Sequence, residues 1–497
     1  MPGLRSTLEL RRAVLTAILL VLIASARIVS TYTVFNHTID EPDHLAAGME
    51  WLSAGKYLYG DEHTPLARIM GALGPYLAGE RWHGGADSYH EGYRILGRGA
   101  HYDRTLALGR AGILPFFWVA SAVVFLWALR MAGPLAAVAS TLLFTSLPPV
   151  LAHAGLITTD MAATAWIGAA ALASLYWAEK PDRRRTVIFG VALGLACLSK
   201  FSALVFLPVA LVAMHRSTLW RQWRSLALAC ALAFLVVWAG YRFTFARVDY
   251  LHLRLPAPRF FTGLHTLWRH NATGHPAFLL GRTSPVGFRY YYPVVLAIKT
   301  PLAFLALALL GCRRISAPLL FSLAVLLSAM PSHMNIGVRH VLPLYIGLAV
   351  IGGGVAAEML RRPAARWVLA ALLLWHVGSG ALQHPDYLAY TNEIAGGHPE
   401  NFVADSDLDW GQDMKRLGAR LERAGATEVT FEPFIKTYPS LAGDAFPRML
   451  PVDPDHPAAG WNAVSVSAWK VFGVPKWAGR IPPQERVGRS ILLWRFP

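Results

Sequence analysis

Long apolar stretches alternate with short polar links along most of the chain. After a first run that ends near Phe35, apolar runs follow at residues 107–129, 134–153, 158–178, 187–199, 201–214, 224–245, 290–311, 315–331, 340–358 and 367–383. Runs of this length are typical of membrane-spanning helices. The pattern predicts an all-α polytopic membrane protein with about 11 transmembrane helices.

The basic residues in the links indicate how the chain crosses the membrane. Five basic links fall on the side of the N-terminus, at Arg130, at 180–185, at 216–224, at 313–314 and at 361–366. Because basic links stay cytoplasmic, the N-terminus is predicted inside, and the loops 36–106 and 246–289 and the tail from 384 outside. This topology requires residues 187–214 to form two short crossings that turn near Lys200.

Overall composition supports the membrane assignment. Of 497 residues, 55% are hydrophobic and only 15% charged, and the mean hydropathy is +0.39. The net charge of +16 would suggest nucleic acid in a soluble protein, but here it reflects the topology, so no nucleic-acid partner is expected. The three cysteines form no CxxC pair, which argues against disulfides and zinc clusters. The first run predicts an uncleaved anchor in the inner or plasma membrane.

After residue 384 the composition changes, and the segments become short and polar. Residues 412–425 predict an amphipathic helix, and 427–434 and 461–471 predict strands. We therefore expect two domains, a transmembrane domain over 1–383 and a small extracytoplasmic α/β domain over 384–497. The acidic run 405–409 does not fit a calcium loop, because Trp410 occupies the position that needs glycine.

The first loop carries the most concentrated polar chemistry. Asp40-Glu41-Pro42 and His63-Thr64-Pro65 each predict the start of a helix, because proline suits a first helical turn. Helix starts attract phosphate, and acids beside them can take a proton, hold a metal or serve only as caps. The candidate ligands for a divalent cation such as Mg²⁺ or Mn²⁺ are Asp61, Glu62 and His63.

Three cations lie within or at the edge of apolar runs. Lys200 stands between two short runs, Lys299 lies within the run 290–311, and Arg339 precedes the run 340–358. Ionisable groups at such depth are expensive and functional by default. The alternatives are an ion pair with a structural acid for Lys200 and ordinary anchoring at the membrane edge for Arg339.

Several motifs together resemble one family. DEPDH (40–44) and EHTPLAR (62–68) resemble first-loop motifs of bacterial relatives of the family 39 glycosyltransferases, the protein O-mannosyltransferase group. Thr64 and Arg68 depart from the commoner form EHPPLAK. The segments LLGRTSPVGFRYYYPVVLAIKTP, NIGVRHVLP, HPDYLAYTNEIAGG and ADSDLDWGQD follow in the same order as in that family.

The resemblance implies a GT-C fold and an inverting glycosyltransferase. Such enzymes move a sugar from a polyprenyl-phosphate carrier in the bilayer to a hydroxyl acceptor on the outer face. The motif places the catalytic base at Asp40, with Glu41 as the neighbouring acid and Glu62 as the acid of the second motif. The donor phosphate would then be bound by cations, namely Lys200, Arg339, Lys299 and Arg68.

Other features stay open at this stage. The sugar is not specified, and the acceptor is a protein hydroxyl, a glycolipid or a cell-envelope glycan. The competing classes are a secondary transporter, which would show a similar number of spans, and a membrane assembly subunit without activity. The chain shows no inverted repeat, and its long acidic first loop is not what transport requires.

Overall fold

The computed structural model describes residues 2–434 and 446–497, and every apolar run named above is helical in it. The main core lies between helices from both halves of the chain and contains the buried side chains of Phe117, Trp127, Phe144 and Tyr345. The helices that contain the apolar runs are α1 (Pro2–Val29), α5 (Gly99–Ala111), α6 (Leu114–Ala132), α7 (Pro134–Thr145), α8 (Pro148–His153), α9 (Asp160–Glu179), α10 (Arg183–Ser199), α11 (Ala203–Arg221), α12 (Trp223–Gly240), α14 (Tyr291–Lys299), α15 (Leu302–Gly311), α16 (Ala317–Ala329), α17 (Leu344–Leu360) and α18 (Ala365–Leu382).

The lengths of these helices show a multi-pass membrane protein. Within the described residues, six helices are long and apolar enough to cross a membrane, and the bent pair α14 and α15 would make a seventh. Three shorter apolar helices, α7, α16 and α17, account for further predicted runs, and α10 has 17 residues. The predicted all-α polytopic class is confirmed. The predicted number of about 11 spans is larger than six or seven because it includes these short helices as crossings.

The chain breaks at two places in the apolar runs, and the sequence predicted only the first of them. The chain does turn at Lys200, which caps the end of α10, and α11 begins three residues later. The run 290–311, by contrast, is not one straight crossing, because α14 and α15 meet at an angle of 118°. Pro301 lies at that bend, where its ring and missing N–H prevent the helix from continuing.

The first loop folds into three helices and the start of α5, and the first two begin where the prolines predict. The three are α2 (Glu41–Ala54), α3 (Pro65–Leu77) and α4 (Ser88–Leu96). A Cβ atom on Gly48 of α2 would lie 1.9 Å from the carbonyl oxygen of Arg68 in α3, so only glycine permits this close packing. The two helix starts are thereby brought together.

The loop 246–289 contains two small hairpins and one helix. Strand β1 (Phe245–Val248) pairs antiparallel with β2 (Leu253–Pro256), and β3 (Ala277–Leu279) pairs antiparallel with β4 (Arg282–Ser284). Helix α13 (Pro258–Thr273) lies between the hairpins.

The described part of the tail, 384–434 and 446–497, forms a five-stranded mixed sheet with two α-helices. The strand order is β6-β5-β7-β9-β8, with parallel pairs around β5 and antiparallel pairs around β9. The elements are α19 (Met414–Arg423), β5 (Glu428–Glu432), β6 (Arg448–Leu450), β7 (Gly460–Ser465), α20 (Val466–Phe472), β8 (Glu485–Val487) and β9 (Ile491–Phe496).

This architecture confirms the predicted α/β tail with one correction. The strand predicted over 461–471 ends at Ser465, and residues 466–472 form α20. The Ser465 hydroxyl accepts a hydrogen bond from the Ala468 N–H at 3.3 Å and caps the new helix, a local signal that outweighs the β-branched residues. The boundary between residues 383 and 384 stays a prediction.

Candidate functional site

Four distant segments bring charged side chains together at helix ends. Asp40 precedes α2, Asp160 begins α9, Lys200 joins α10 to α11, and Arg339 lies in a short 3₁₀ turn (Val338–Val341) before α17. Apolar packing fixes these helix ends, so the four side chains meet in a largely buried position. We call these four residues the charged cluster.

The charged cluster consists of two carboxylates and two cations in mutual contact. Arg339 Nη1 donates to Asp40 Oδ2 at 3.2 Å and lies 3.7 Å from Asp160 Oδ2. Lys200 Nζ donates to Asp160 Oδ1 at 2.5 Å. The opposite charges balance, as the burial of ions requires.

Asp40 is more accessible than Arg339, its ion-pair partner. Its side chain is 22% exposed, against 7% for the side chain of Arg339. Burial, with a smaller contribution from the neighbouring acids, raises the pKa of Asp40 to about 6. Arg339 offsets part of this rise. A carboxylate with such a pKa can accept a proton near neutral pH.

Aromatic and imidazole rings surround the charged cluster. The Arg339 guanidinium lies over the Trp410 ring, 4.2 Å from its centroid, and the His153 ring lies 6.3 Å from the same indole. His63 and His340 lie within electrostatic range of Asp160 and Arg339. Burial lowers the pKa of His63 well below its usual value, so this ring is neutral.

Glu41 lies next to Asp40 in the chain, yet its carboxylate is fully engaged in a buried ion pair. Arg110 Nε donates to Oε1 at 2.9 Å, and Arg110 Nη2 donates to Oε2 at 2.8 Å. The N–H groups of Thr38 and Ile157 donate to the same carboxylate at 2.8 and 3.1 Å. Burial alone would raise the pKa of Glu41, but these donors hold it below its usual value. This geometry suits a positioning residue.

Arg68 is likewise committed to neighbours and does not reach the charged cluster. Its Nε donates to His44 Nδ1 at 2.9 Å, its Nη1 donates to the carbonyl oxygen of Gly60 at 2.8 Å, and its Nη2 pairs with Asp43. The side chain has no exposed surface. These contacts join α2 to α3 and leave Arg68 badly placed to bind a phosphate.

The candidate metal ligands are not brought together as the sequence predicts. Asp61 pairs with Arg259 at 3.0 Å, and Glu62 has no ion-pair partner among residues 2–434 and 446–497. His63 instead faces Asp43 and His44, and one ligand atom from each lies within 4.8 Å of the others. Arg68 already binds His44 and Asp43, so a cation there would have to replace a guanidinium. The donor set therefore does not fit a divalent cation in this arrangement.

Lys299 also has a position different from the one expected. Its Nζ donates to the carbonyl oxygen of Leu388 at 2.7 Å and to that of Asp407. The side chain is buried and connects the end of α14 to the tail rather than to the charged cluster. Lys299 is thus placed as a structural cation.

Comparison with known proteins identifies the fold. No protein-family model and no curated protein sequence matches the chain. Among solved structures, ArnT from Cupriavidus metallidurans is similar over 96% of this chain and 97% of its own length. The TM-score is 0.54 for ArnT bound to undecaprenyl phosphate and 0.53 for its apo state, at 13% and 15% sequence identity. The chain has the GT-C fold.

A weaker likeness covers part of an oligosaccharyltransferase. The oligosaccharyltransferase AglB from Archaeoglobus fulgidus matches 74% of this chain and 54% of its own, with a TM-score of 0.44 and 13% identity. The GT-C fold confirms the expectation that the motifs raised. The narrower kinship with family 39 rests on those motifs alone.

Two residues that contact Arg339 were missed by sequence reasoning. Asp160 was not singled out, although an acid at the start of the apolar run 158–178 is an expensive group that should have drawn notice. Trp410 was considered only as a reason against calcium binding, and its stacking beneath Arg339 could not be predicted without the fold.

Proposed function

We propose that the protein is an inverting GT-C glycosyltransferase that moves a sugar from a polyprenyl-phosphate carrier to a hydroxyl acceptor on the outer face of the membrane. The observation that carries the proposal is the contact of the Asp40 carboxylate with the Arg339 guanidinium, two groups suited to accept a proton and to bind a phosphate. The ArnT structure with undecaprenyl phosphate supports it, because that protein has the same fold and binds this class of lipid.

In the proposed reaction Asp40 accepts the proton of the acceptor hydroxyl. The hydroxyl oxygen attacks the anomeric carbon, and the bond from that carbon to the phosphate oxygen breaks as the new glycosidic bond forms. The bond electrons leave with the phosphate, which becomes a polyprenyl phosphate monoester. General base catalysis of this kind supplies about a hundred- to ten-thousand-fold in rate.

The charged cluster links proton transfer to stabilisation of the leaving group. Before reaction, Arg339 and Lys200 are neutralised by Asp40 and Asp160. When Asp40 takes up the proton it becomes neutral, and Arg339 gains an uncompensated positive charge at the moment when the phosphate gains a negative one. Arginine binds phosphate in a bidentate manner, whereas lysine acts as a point charge, so both cations can stabilise the product.

Glu41 and Asp160 position the cluster in this proposal. Glu41 holds Arg110 of α5 and the N–H of Ile157, which lies three residues before Asp160. The same side chain therefore fixes its neighbour Asp40 and the loop that leads to Asp160. Asp160 in turn holds Lys200 and faces Arg339.

The experiment compares donor classes. Purified protein in detergent is incubated with undecaprenyl-phosphate-linked hexoses and pentoses, with nucleotide-linked sugars, and with a cell-envelope fraction as acceptor. We expect free undecaprenyl phosphate and labelled envelope from a lipid-linked donor only. Solute uptake into proteoliposomes without donor turnover would indicate a transporter instead, and neither activity would indicate an assembly subunit.

A further inference from the structure

The tail segment of residues 405–413, with sequence DSDLDWGQD, is anchored in the tail domain at two acids. The N–H of Ser467 donates to Asp409 Oδ2 at 2.9 Å, and the Ser467 hydroxyl donates to the carbonyl oxygen of Asp409 at 2.7 Å. Four residues later the Ser490 hydroxyl donates to Asp413 Oδ2 at 2.8 Å. These bonds fix the segment to the rest of the tail domain.

The same segment holds the backbone that carries Arg339. The N–H of Val338 donates to Asp407 Oδ1 at 2.9 Å. The Tyr291 hydroxyl accepts from the N–H of Gly337 at 2.9 Å and donates to Asp407 Oδ2 at 3.1 Å. Asp407 is buried, so these bonds are made in a low dielectric, where a lost partner is costly.

Close approach of the two segments depends on Gly337. This residue has φ +101°, and a Cβ atom there would lie 2.4 Å from the Ser406 hydroxyl oxygen. Ser406 itself donates to the carbonyl oxygen of Ile336, and Arg339 Nε donates to the same residue at 3.0 Å. The turn before Arg339 is thus held on both sides.

The segment also reaches the other member of the ion pair. The N–H of Ile39, directly before Asp40, donates to the carbonyl oxygen of Trp410 at 3.3 Å. Asn36 Nδ2 donates to the carbonyl oxygen of Gly411 at 2.7 Å. Trp410 therefore contacts the residue before Asp40 through its backbone carbonyl, and it contacts Arg339 through its ring.

From these contacts we infer that Trp410 and Asp407 are positioning residues, which fix the separation of Asp40 and Arg339 and make turnover depend on docking of the tail. This inference rests on the proposed function for its activity readout. It gives the DSDLDWGQD motif a role that neither the motif nor the fold assigns. Trp410 supplies a flat surface on which the guanidinium can shift toward a phosphate while keeping its distance from Asp40.

The test uses Trp410→Leu, Trp410→Phe and the matched control Trp461→Leu. Trp461 is also a tail tryptophan near arginines, 5.2 Å from Arg420 and 5.4 Å from Arg495, but it lies away from the charged cluster. We expect Trp410→Leu to lower kcat about tenfold with KM for the donor less affected, and Trp410→Phe to restore most of it. The acid limb of the pH profile should move to higher pH in Trp410→Leu, because a displaced Arg339 lowers the pKa of Asp40 less. A role in stability alone would not move that limb.

Two results would overturn the inference. One is a parental kcat and pH profile in Trp410→Leu, and the other is an equal loss in Trp461→Leu. If the parent turns over no polyprenyl-phosphate donor, the proposed function fails separately. A density map of Trp410→Leu then tests the positioning role. The role requires the Arg339 guanidinium to be displaced from Asp40, and an undisplaced guanidinium refutes it.

Discussion

Asp40 and Glu41 are adjacent acids with different surroundings. Asp40 is partly exposed and faces a single arginine, whereas Glu41 is fully buried between Arg110 and two backbone N–H groups. The difference comes from partners that are far away in the chain. It favours Asp40 as the base and Glu41 as the residue that holds it in place.

The raised pKa of Asp40 leads to a prediction about pH. The base must be deprotonated, so kcat/KM should be constant well above pH 6 and should fall as the pH drops through about 6. Arg339 lowers the pKa of Asp40, and its removal in Arg339→Ala should shift this limb to higher pH. Initial rates of donor turnover between pH 4.5 and 9 measure both profiles. An unshifted limb in Arg339→Ala would show that another group titrates.

Arg339 should dominate binding of the carrier phosphate. Charge-assisted hydrogen bonds contribute about 1.5–3 kcal/mol, so Arg339→Ala should weaken the affinity for undecaprenyl phosphate about ten- to a hundredfold. The control is Arg27→Ala, since Arg27 also contacts the tail at Tyr387, and α18 at Gly380, but lies outside the charged cluster. Equilibrium binding of the lipid in detergent gives the comparison. Equal affinities in the two variants would place the phosphate elsewhere.

At the scale of elements, the Glu41–Arg110 pair joins the start of α2 to α5. Removing one partner of a buried pair typically costs about 3–5 kcal/mol, whereas an exposed pair contributes about 1 kcal/mol or less. Glu41→Ala should therefore lower the thermal midpoint strongly, and Glu179→Ala, which removes an exposed pair with Arg130, should not. Glu41→Ala with a parental midpoint and no turnover would instead make Glu41 directly catalytic.

Helix positions were largely predictable because they depend on local hydropathy and on proline. The starts of α2 and α3 agree with Asp40-Glu41-Pro42 and Thr64-Pro65, and the break at Lys200 follows from the charge pattern. The bend at Pro301 was visible in the sequence and was overlooked. Ser465, too, marks a strand-to-helix change that short-range capping explains.

The charged cluster was only partly predictable, because its ion pairs join residues far apart in sequence. Lys200 and Arg339, two of the cations predicted to bind phosphate, lie in the charged cluster, whereas Arg68 and Lys299 are bound by partners that no local pattern reveals. Asp160 and Trp410 enter only through the three-dimensional packing of α9 and the tail. An isolated cation in an apolar run indicates that a partner exists, but not which one.

At the scale of the whole molecule, the basic links still predict one orientation. They put the N-terminus in the cytoplasm and the tail from 384 outside, where the tail would meet the acceptor. A reporter that is active only outside the cytoplasm should work when fused after Pro497, and a cytoplasmic reporter should not. The reverse pattern would mean that the number of membrane crossings differs from the predicted number by an odd number. The simplest such difference is that the bent pair α14 and α15 does not cross the membrane.

The charged cluster is proposed to transfer sugar from a polyprenyl-phosphate donor with Asp40 as the base. The most direct measurement is single-turnover transfer of labelled sugar from a saturating undecaprenyl-phosphate-linked donor, by the parent and by Asp40→Asn. Asp103→Asn serves as the control, since Asp103 lies in the same loop and forms a partly exposed ion pair with Lys415 of the tail. We expect Asp40→Asn to bind the donor like the parent but to transfer sugar about a hundred- to ten-thousand-fold more slowly, and Asp103→Asn to retain parental transfer. Near-parental transfer by Asp40→Asn would contradict this proposal.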